Sequence, residues 1–294
     1  MEIGTIGFQW RITEETFPTI EQDFTRIHAA GLKECTCGIR PTEFYSSPSA
    51  QLFQELLKRT GVHLYTIWCG FGAPTYFDLV RGPETVGLIP AEYRVKRLQI
   101  LRNCARYAQT LGTDRIAIHF GFIPECASDP SYESVVETAQ QAADICAEHG
   151  CTLLLEVGEE TPTTLLRLLE DAKRENLAVD LDMANLILYG RGEPLGAIDV
   201  LGKYIKAVDA KDGLYPAGGR ILGEEVALGQ GRVPLQAVVS KLIDIGYDGV
   251  WNIERDAPTL ERKIQGILMG KTILQGILLH EKIRRSALDI GEST

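Results

Sequence analysis

Four carboxylates stand at the ends of four successive strand-like runs. These runs span residues 152–156, 178–182, 205–209 and 249–254. Each is largely apolar until its acid, which is typical of strands buried in a parallel sheet. The carboxyl ends of such strands meet at one edge, where α/β proteins carry their chemistry. We therefore expect the four acids to lie together.

Carboxylates that converge in this way need compensation. They repel one another, and burying even one such charge costs several kcal/mol. A divalent cation would supply the compensation, and an all-oxygen ligand set favours Mn²⁺ or Mg²⁺ over Zn²⁺. We predict one such ion, held by Glu156, Asp182, Asp209 and Glu254. The alternative is that Lys206, Lys211 or Arg255 neutralises the acids one by one.

Two of these acids, Glu156 and Glu254, suggest a reaction. We expect them on the fifth and eighth strands, across the site from each other. Facing carboxylates can take a proton from the carbon beside a carbonyl and return one from the other side. The cation would stabilise the charge that develops on oxygen. We predict proton transfer through an enediolate, which uses the metal better than glycoside hydrolysis by the same pair would.

The elements that must position these residues alternate along the whole chain. Eight strand-like runs are each followed by a helix-like run, from strand 3–9 to the last helix at 259–288. Such alternation implies parallel pairing with right-handed crossovers. Eight units close most naturally into an α/β (β/α)₈ TIM barrel, predicted here as a single domain over residues 1–294. The alternative, a doubly wound sheet, is disfavoured because Gly70-Phe-Gly72 lacks a third Gly and a helix start.

Two long connections interrupt this regular pattern. Residues 70–90 are rich in Gly and Pro, and a loop of that length is usually functional or a lid. The Gly-rich segment 212–231 is predicted to hold a hairpin.

Composition narrows the classes of partner. The formal net charge of −10 disfavours nucleic acids and anionic membranes, since both need a basic face. No apolar run reaches about 18 residues, so we expect no membrane span.

The start of the sequence lacks the basic flank of a signal peptide, and the seven scattered Cys are typical of reduced thiols. We predict a cytoplasmic protein with a small-molecule substrate. A homo-oligomer is possible, although the apolar residues of the last helix can pack on their own barrel.

Several longer motifs, in order along the chain, point to one family. They are His119-Phe-Gly-Phe-Ile-Pro-Glu125, Glu156-Val-Gly-Glu-Glu-Thr161, Asp182-Met-Ala-Asn-Leu-Ile-Leu-Tyr-Gly190, Ala210-Lys-Asp-Gly213 and Ile253-Glu-Arg-Asp256. With them the chain resembles the sugar phosphate isomerase/epimerase family, the xylose isomerase-like barrels that include ketose 3-epimerases. The similarity runs over nearly the whole chain and is densest from 119 to 256. It implies an isomerase or epimerase of a small sugar, keto-sugar or sugar phosphate.

The resemblance also implies site residues. In that family Glu, Asp, His and Glu from strands five to eight hold a divalent metal, and the two Glu are the acid/base pair. Glu156, Asp182 and Glu254 match three of these places. The fourth departs, because the family's His-Ala-Lys-Asp is Asp209-Ala-Lys211-Asp here. An Asp is shorter than His, so direct ligation, ligation through water, another reaction and a degenerate site all stay open.

Four further residues are predicted to contact substrate: Trp68, His119, Asn185 and Lys211. Asn185 stands where ketose epimerases often have a His, which leaves the sugar undetermined. The alternatives are a core role for His119, a barrel-capping role for Trp68 and a solvated Lys211.

Two other functions remain in view. The first is a dehydratase of the same superfamily, and the second is a non-catalytic sugar-binding barrel with a degenerate metal site. The zinc endonuclease branch of the superfamily is disfavoured, because it uses several His and the chain has five, only one at a strand end.

Overall fold

The computed structural model describes residues 1–10, 12–39, 45–72, 78–257 and 259–291. The strands of this part are β1 (Ile3–Trp10), β2 (Glu34–Ile39), β3 (His63–Trp68), β4 (Arg115–Ile118), β5 (Thr152–Glu156), β6 (Leu177–Asp182), β7 (Ile205–Ala210), β8 (Asp212–Gly213), β9 (Glu225–Val226) and β10 (Trp251–Ile253). Eight of them form a closed barrel in the order β1-β10-β7-β6-β5-β4-β3-β2, with neighbours parallel. The predicted (β/α)₈ TIM barrel is confirmed.

The helices that follow the strands begin and end close to their sequence signals. They are α1 (Phe17–Ala29), α2 (Ser47–Thr60), α3 (Gly82–Thr85), α4 (Ala91–Leu111), α5 (Tyr132–Ala147), α6 (Pro162–Ala172), α7 (Asn185–Leu188), α8 (Pro194–Leu201), α9 (Leu235–Asp244) and α10 (Leu260–Gly291). Gly61 and Gly112 directly follow α2 and α4, and both adopt left-handed backbone, as helix-ending Gly residues do. Helix α6 ends at Ala172, because the next residue, Lys173, turns left-handed with φ 51°.

Strand residues alternate between two different environments. Outward residues such as Cys35 and Ile253 join the large apolar core between the strands and the helices. Ala117, Leu154, Ala178 and Ala207 form a separate small cluster, with Tyr65 and Trp68 packed against it. Bulky branched residues fill most barrels of this kind, whereas three of these four residues are alanine.

Two loops from opposite sides of the barrel meet over its carboxyl-terminal end, the mouth. The backbone N–H of Leu79, after β3, donates to the carbonyl of Arg220, after β7, at 2.9 Å. Beside this bond, Asp78 and Ile221 form an isolated antiparallel bridge. Strands β4, β5 and β6 separate β3 from β7 in the barrel. The segment predicted as a long loop at 70–90 therefore contacts the excursion after β7, and its residues 73–77 lie outside the described part.

The Gly-rich excursion after β7 contains the predicted hairpin as the short antiparallel pair of β8 and β9. Buried Asp212 holds this excursion, because its carboxylate accepts from the backbone N–H groups of Gly213, Gly229, Gly231 and Val233. A Cβ at Gly231 would lie 2.1 Å from Oδ1 of Asp212. Position 231 therefore has no room for a side chain.

No helix within the described ranges combines the length and the apolar character that a membrane crossing requires.

Candidate active site

The four strand-end acids lie at the mouth, on four neighbouring strands. Glu156 and Asp182 are the last residues of β5 and β6, and Asp209 is the last but one of β7. Glu254 follows β10 directly, and its backbone N–H still donates to Ala210 of β7. The first three are buried, whereas the side chain of Glu254 is 18% exposed.

Three of these acids form a compact group. One carboxylate oxygen from each of Glu156, Asp209 and Glu254 lies within 4.8 Å of the others. Asp182 is engaged at the edge of this group: its Oδ1 accepts from the backbone N–H groups of Ala184 and Asn185, at 2.7 and 2.9 Å. Asp209, the residue that departs from the family motif, is thus one of the three acids of this group.

Lys211 neutralises part of this charge. Its Nζ lies 3.0 Å from Oε1 of Glu254 and 3.2 Å from Oδ2 of Asp182, and its side chain is only 7% exposed. Arg255 contacts Glu225 instead, at 2.6 Å. Among the described residues, the alternative in which a lysine or arginine neutralises the acids therefore holds for Asp182 and Glu254, both through Lys211.

The predicted substrate-binding residues surround the carboxylate of Glu156. Trp68 donates from Nε1 to Oε2 at 2.7 Å, and Asn185 donates from Nδ2 to Oε1 at 2.8 Å. Nε2 of His119 is 3.7 Å from Oε2. Lys211 joins them through a 3.3 Å hydrogen bond to Oδ1 of Asn185. All four line the site, and their contact with a substrate stays a prediction.

His119 is paired with two acids. Its Nδ1 lies 3.0 Å from Oε1 of Glu159, and its ring packs edge-on against Trp68 with centroids 5.4 Å apart. Burial disfavours the charged imidazole, but Glu156 and Glu159 outweigh it and raise the pKa of His119 to about 10. Sequence reasoning missed Glu159, although two adjacent acids after Gly158, just beyond a strand-end Glu, were a visible signal.

Asp209 and Glu156 lie in an environment that disfavours their charged forms. Burial raises the pKa of Asp209 well above its usual value, and neighbouring Asp180 and Glu254 raise it further. Burial likewise raises the pKa of Glu156, with Glu254 adding to the effect. Within the described part of the chain, Oδ1 of Asp209 is buried without a hydrogen-bond partner.

These features suit a divalent cation. Among the described residues, the acids outnumber the cations Lys211 and His119 at or near the mouth; they are Glu156, Glu159, Asp180, Asp182, Asp209 and Glu254. The donor set of the compact group is entirely oxygen, and one of its oxygens lacks a partner among the described residues. Hard cations of the Mg²⁺ and Mn²⁺ type prefer such ligands.

Comparisons with known proteins agree with this architecture. A xylose isomerase domain protein from Planctomyces limnophilus is 31% identical, with a TM-score of 0.80 over 86% of this chain and 90% of that one. A D-tagatose 3-epimerase-like protein is 21% identical, with a TM-score of 0.73 over 97% and 99% of the two chains. At that identity the second likeness shows the fold alone.

Sequence comparison gives the family. An uncharacterized protein from Methanocaldococcus jannaschii is 27% identical over 205 residues, 65% of this chain. The match spans 66% of that relative, just under two thirds of its length. Residues 24–270 match the model of one family over most of the sequence. The chain therefore belongs to the xylose isomerase-like TIM barrel family, as its motifs predict.

Proposed function

We propose that this protein is a metal-dependent isomerase or epimerase of a small sugar, keto-sugar or sugar phosphate. The observation that carries the proposal is the compact group of Glu156, Asp209 and Glu254 at the mouth. Family membership and the likeness to an epimerase-like protein support the same class of reaction.

Glu156, Asp209 and Glu254 would hold one Mn²⁺ or Mg²⁺, with Asp182 beside them. When bound, the ion would act as a Lewis acid that stabilises negative charge on a substrate oxygen. Zn²⁺ is less suitable, because the group offers neither nitrogen nor sulfur.

Glu156 and Glu254 would move the proton. Trp68 and Asn185 fix the Glu156 carboxylate, and Lys211 fixes that of Glu254. Burial raises the pKa of both glutamates, which brings them closer to the neutral range where a general base works best. One glutamate would take the proton from the carbon beside the carbonyl, and the other would return a proton from the opposite side.

The residues around the pair would orient the substrate. Lys211 and the charged ring of His119 can donate hydrogen bonds to sugar oxygens. Asn185 offers an amide from α7, and Trp68 offers an aromatic face of the kind that covers the apolar side of a sugar. Each is buried or half-buried at the mouth.

A dehydratase is the second candidate, because the same enediolate can lose a neighbouring hydroxyl. A non-catalytic sugar-binding barrel is the third. The presence of Asp209 in place of the family His and the ion pairs of Lys211 with two of the acids are the observations that favour it.

The test is a substrate screen in D₂O. Metal-loaded protein is incubated with ketoses, aldoses and their phosphates, and the molecular mass of each sugar is then measured by mass spectrometry. An isomerase or epimerase incorporates one deuterium without losing mass elsewhere. A product lighter by one water would identify a dehydratase instead. Sugars that bind without exchanging deuterium would contradict both and leave the non-catalytic barrel.

A further inference from the structure

One buried carboxylate beside the proposed acid/base pair has no part in that mechanism. Glu159 lies three residues beyond the end of β5, and its side chain is 0% exposed. Its Oε1 lies 3.0 Å from Nδ1 of His119, and the hydroxyl of Tyr189 donates to the same oxygen at 3.4 Å. Buried charges are retained where they are paired. The pairing of Glu159 is directed into the site rather than towards the surface.

The partner of Glu159 stands between two glutamates. Nδ1 of His119 faces Glu159, while Nε2 lies 3.7 Å from Oε2 of Glu156. The indole of Trp68 packs against the edge of the same ring and donates to the same Oε2. The two nitrogens of an imidazole are not equivalent, and the bond made by one determines what the other can do. The ring thus lies with Nδ1 towards Glu159 and Nε2 towards Glu156.

The backbone after β5 is shaped for this contact. The N–H of Val157 donates to the carbonyl of Asp180, which continues the ladder between β5 and β6 by one residue. A Cβ at Gly158 would lie 3.0 Å from the ring of Tyr189 and 3.2 Å from Cβ of Asn185. The chain thus passes close against α7 at Gly158, and Glu159 is turned inward at the next position.

We propose that Glu159 is a positioning residue that acts through His119. Its carboxylate fixes the imidazole with Nδ1 engaged and Nε2 directed at Glu156 and the mouth. A ring held in this way presents one N–H to the proposed base or to a substrate oxygen. The orientation of His119 by Glu159 is argued from the distances alone, whereas a role of this orientation in catalysis rests on the proposed function.

The test follows the ring itself, in protein labelled with ¹⁵N at the histidine side chains. The chain has five histidines, and a His119→Gln variant assigns the signals of His119. In the unchanged protein we expect a slowly exchanging Nδ1–H proton on His119. Glu159→Ala should lose that proton signal. Glu159→Gln keeps an acceptor oxygen and should retain it.

The neighbouring acid provides a matched control. Glu160 is buried in the same loop, so Glu160→Gln changes a neighbouring carboxyl without removing the contact between Glu159 and His119. Circular dichroism and a thermal melt check that each variant folds. An unchanged His119 signal in folded Glu159→Ala, or an equal loss in Glu160→Gln, would overturn the proposal. Should Glu159→Ala fail to fold, loss of the Nδ1–H signal in folded Glu159→Gln would overturn it as well.

Kinetics then test the consequence. With a turned-over sugar in hand, Glu159→Ala should lower kcat by about 10–100-fold, the range seen when residues that orient a metal-site ligand are removed. Glu159→Gln should recover part of this loss, and KM should change little. The absence of turnover in every form of the protein would refute the proposed function. The conclusion drawn from the Nδ1–H signal of His119 would stand. A lost Nδ1–H signal with full turnover would show that the ring is positioned but that the reaction does not need it.

Discussion

The ammonium of Lys211 lies 3.0 Å from Oε1 of Glu254. The same nitrogen lies 3.2 Å from Asp182, so one lysine serves two of the four strand-end acids. In the described ranges, neither Glu156 nor Asp209 has a lysine or arginine within ion-pair distance. Glu156 instead has the imidazole of His119 3.7 Å away, and Oδ1 of Asp209 is buried without a hydrogen-bond partner among the described residues. This uneven division is the physical basis of the proposed metal site.

Replacing Lys211 with Met should strengthen metal binding. A cation this close to Glu254 repels an incoming dication, and two unit charges 4 Å apart interact by about 4 kcal/mol at an effective dielectric constant of about 20. Part of this is offset by relaxation, so we expect a Kd for Mn²⁺ about tenfold lower, measured by calorimetry. Lys203→Met is the control, since Lys203 is 67% exposed and pairs with Glu170. Weaker binding in Lys211→Met would contradict the expected competition between the lysine and the ion.

Replacing either proposed base with Gln should remove proton transfer. Glu156→Gln and Glu254→Gln keep the side-chain shape but lose the basic oxygen, and such a base contributes about 10²–10⁴-fold. The measurement is the rate of deuterium incorporation from D₂O into the sugar identified by the screen. Glu225→Gln is the control, because Glu225 pairs with Arg255 beyond the compact group. Exchange at the unchanged rate in either variant would refute the role of that glutamate.

Without metal, Asp209 should make the protein less stable as the pH rises. Burial and the neighbouring acids raise its pKa in the folded protein well above the value of 3.8 that it has when exposed. A group of this kind contributes stability that is fully present below its unfolded pKa and is lost as the pH rises through its folded pKa. Asp209→Asn should therefore be more stable than the unchanged protein at pH 8, with a difference that shrinks towards pH 4.

Chemical denaturation with a chelator present, at a series of pH values, measures this difference. Asp248→Asn, at an exposed position, serves as the control for the substitution itself. A difference between Asp209→Asn and the unchanged protein that grows on acidification would have the wrong sign.

The folding of the Gly-rich excursion after β7 should depend on Asp212. Its carboxylate accepts four backbone N–H groups, and Asn in its place would offer one acceptor and an amino group facing donors. We expect the free energy of unfolding to fall by about 2–4 kcal/mol. Gly231→Ala should be similarly harmful, because its Cβ would lie 2.1 Å from Asp212.

Gly276→Ala is the matched control for this pair of variants. Gly276 lies inside α10 with nothing within 4 Å of an added Cβ, so Ala should stabilise the protein by about 0.5–1 kcal/mol. Urea unfolding measures all three variants. Gly231→Ala with the stability of the unchanged protein would contradict the described packing around Asp212.

The barrel could be predicted from the sequence because its signals are local. Strand-end acids, alternating elements and helix-ending glycines such as Gly61 and Gly112 each depend on a few neighbouring residues. The resemblance of the strand-end motifs to one family added an expected order of the site residues, and residues 24–270 match the model of that family.

The grouping within the site could not be predicted, because it depends on register between strands. An irregularity between Val179 and Asp180 shifts β6 against β7 and places Asp182 beside Asp209. The contacts of Lys211 with Asp182 and Glu254 depend on the register between strands and could not be predicted from sequence spacing. Glu159 was missed for a similar reason, since its burial depends on a loop that packs against α7.

The central claim is that Glu156, Asp209 and Glu254 together hold one cation. A calorimetric titration of metal-free protein with Mn²⁺ tests this claim without knowledge of the substrate. We expect one ion per chain, and a Kd at least about tenfold higher in Asp209→Asn and in Glu254→Gln, since each removes a charged ligand. Absence of Mn²⁺ binding, or a Kd unchanged in both variants, would contradict the account.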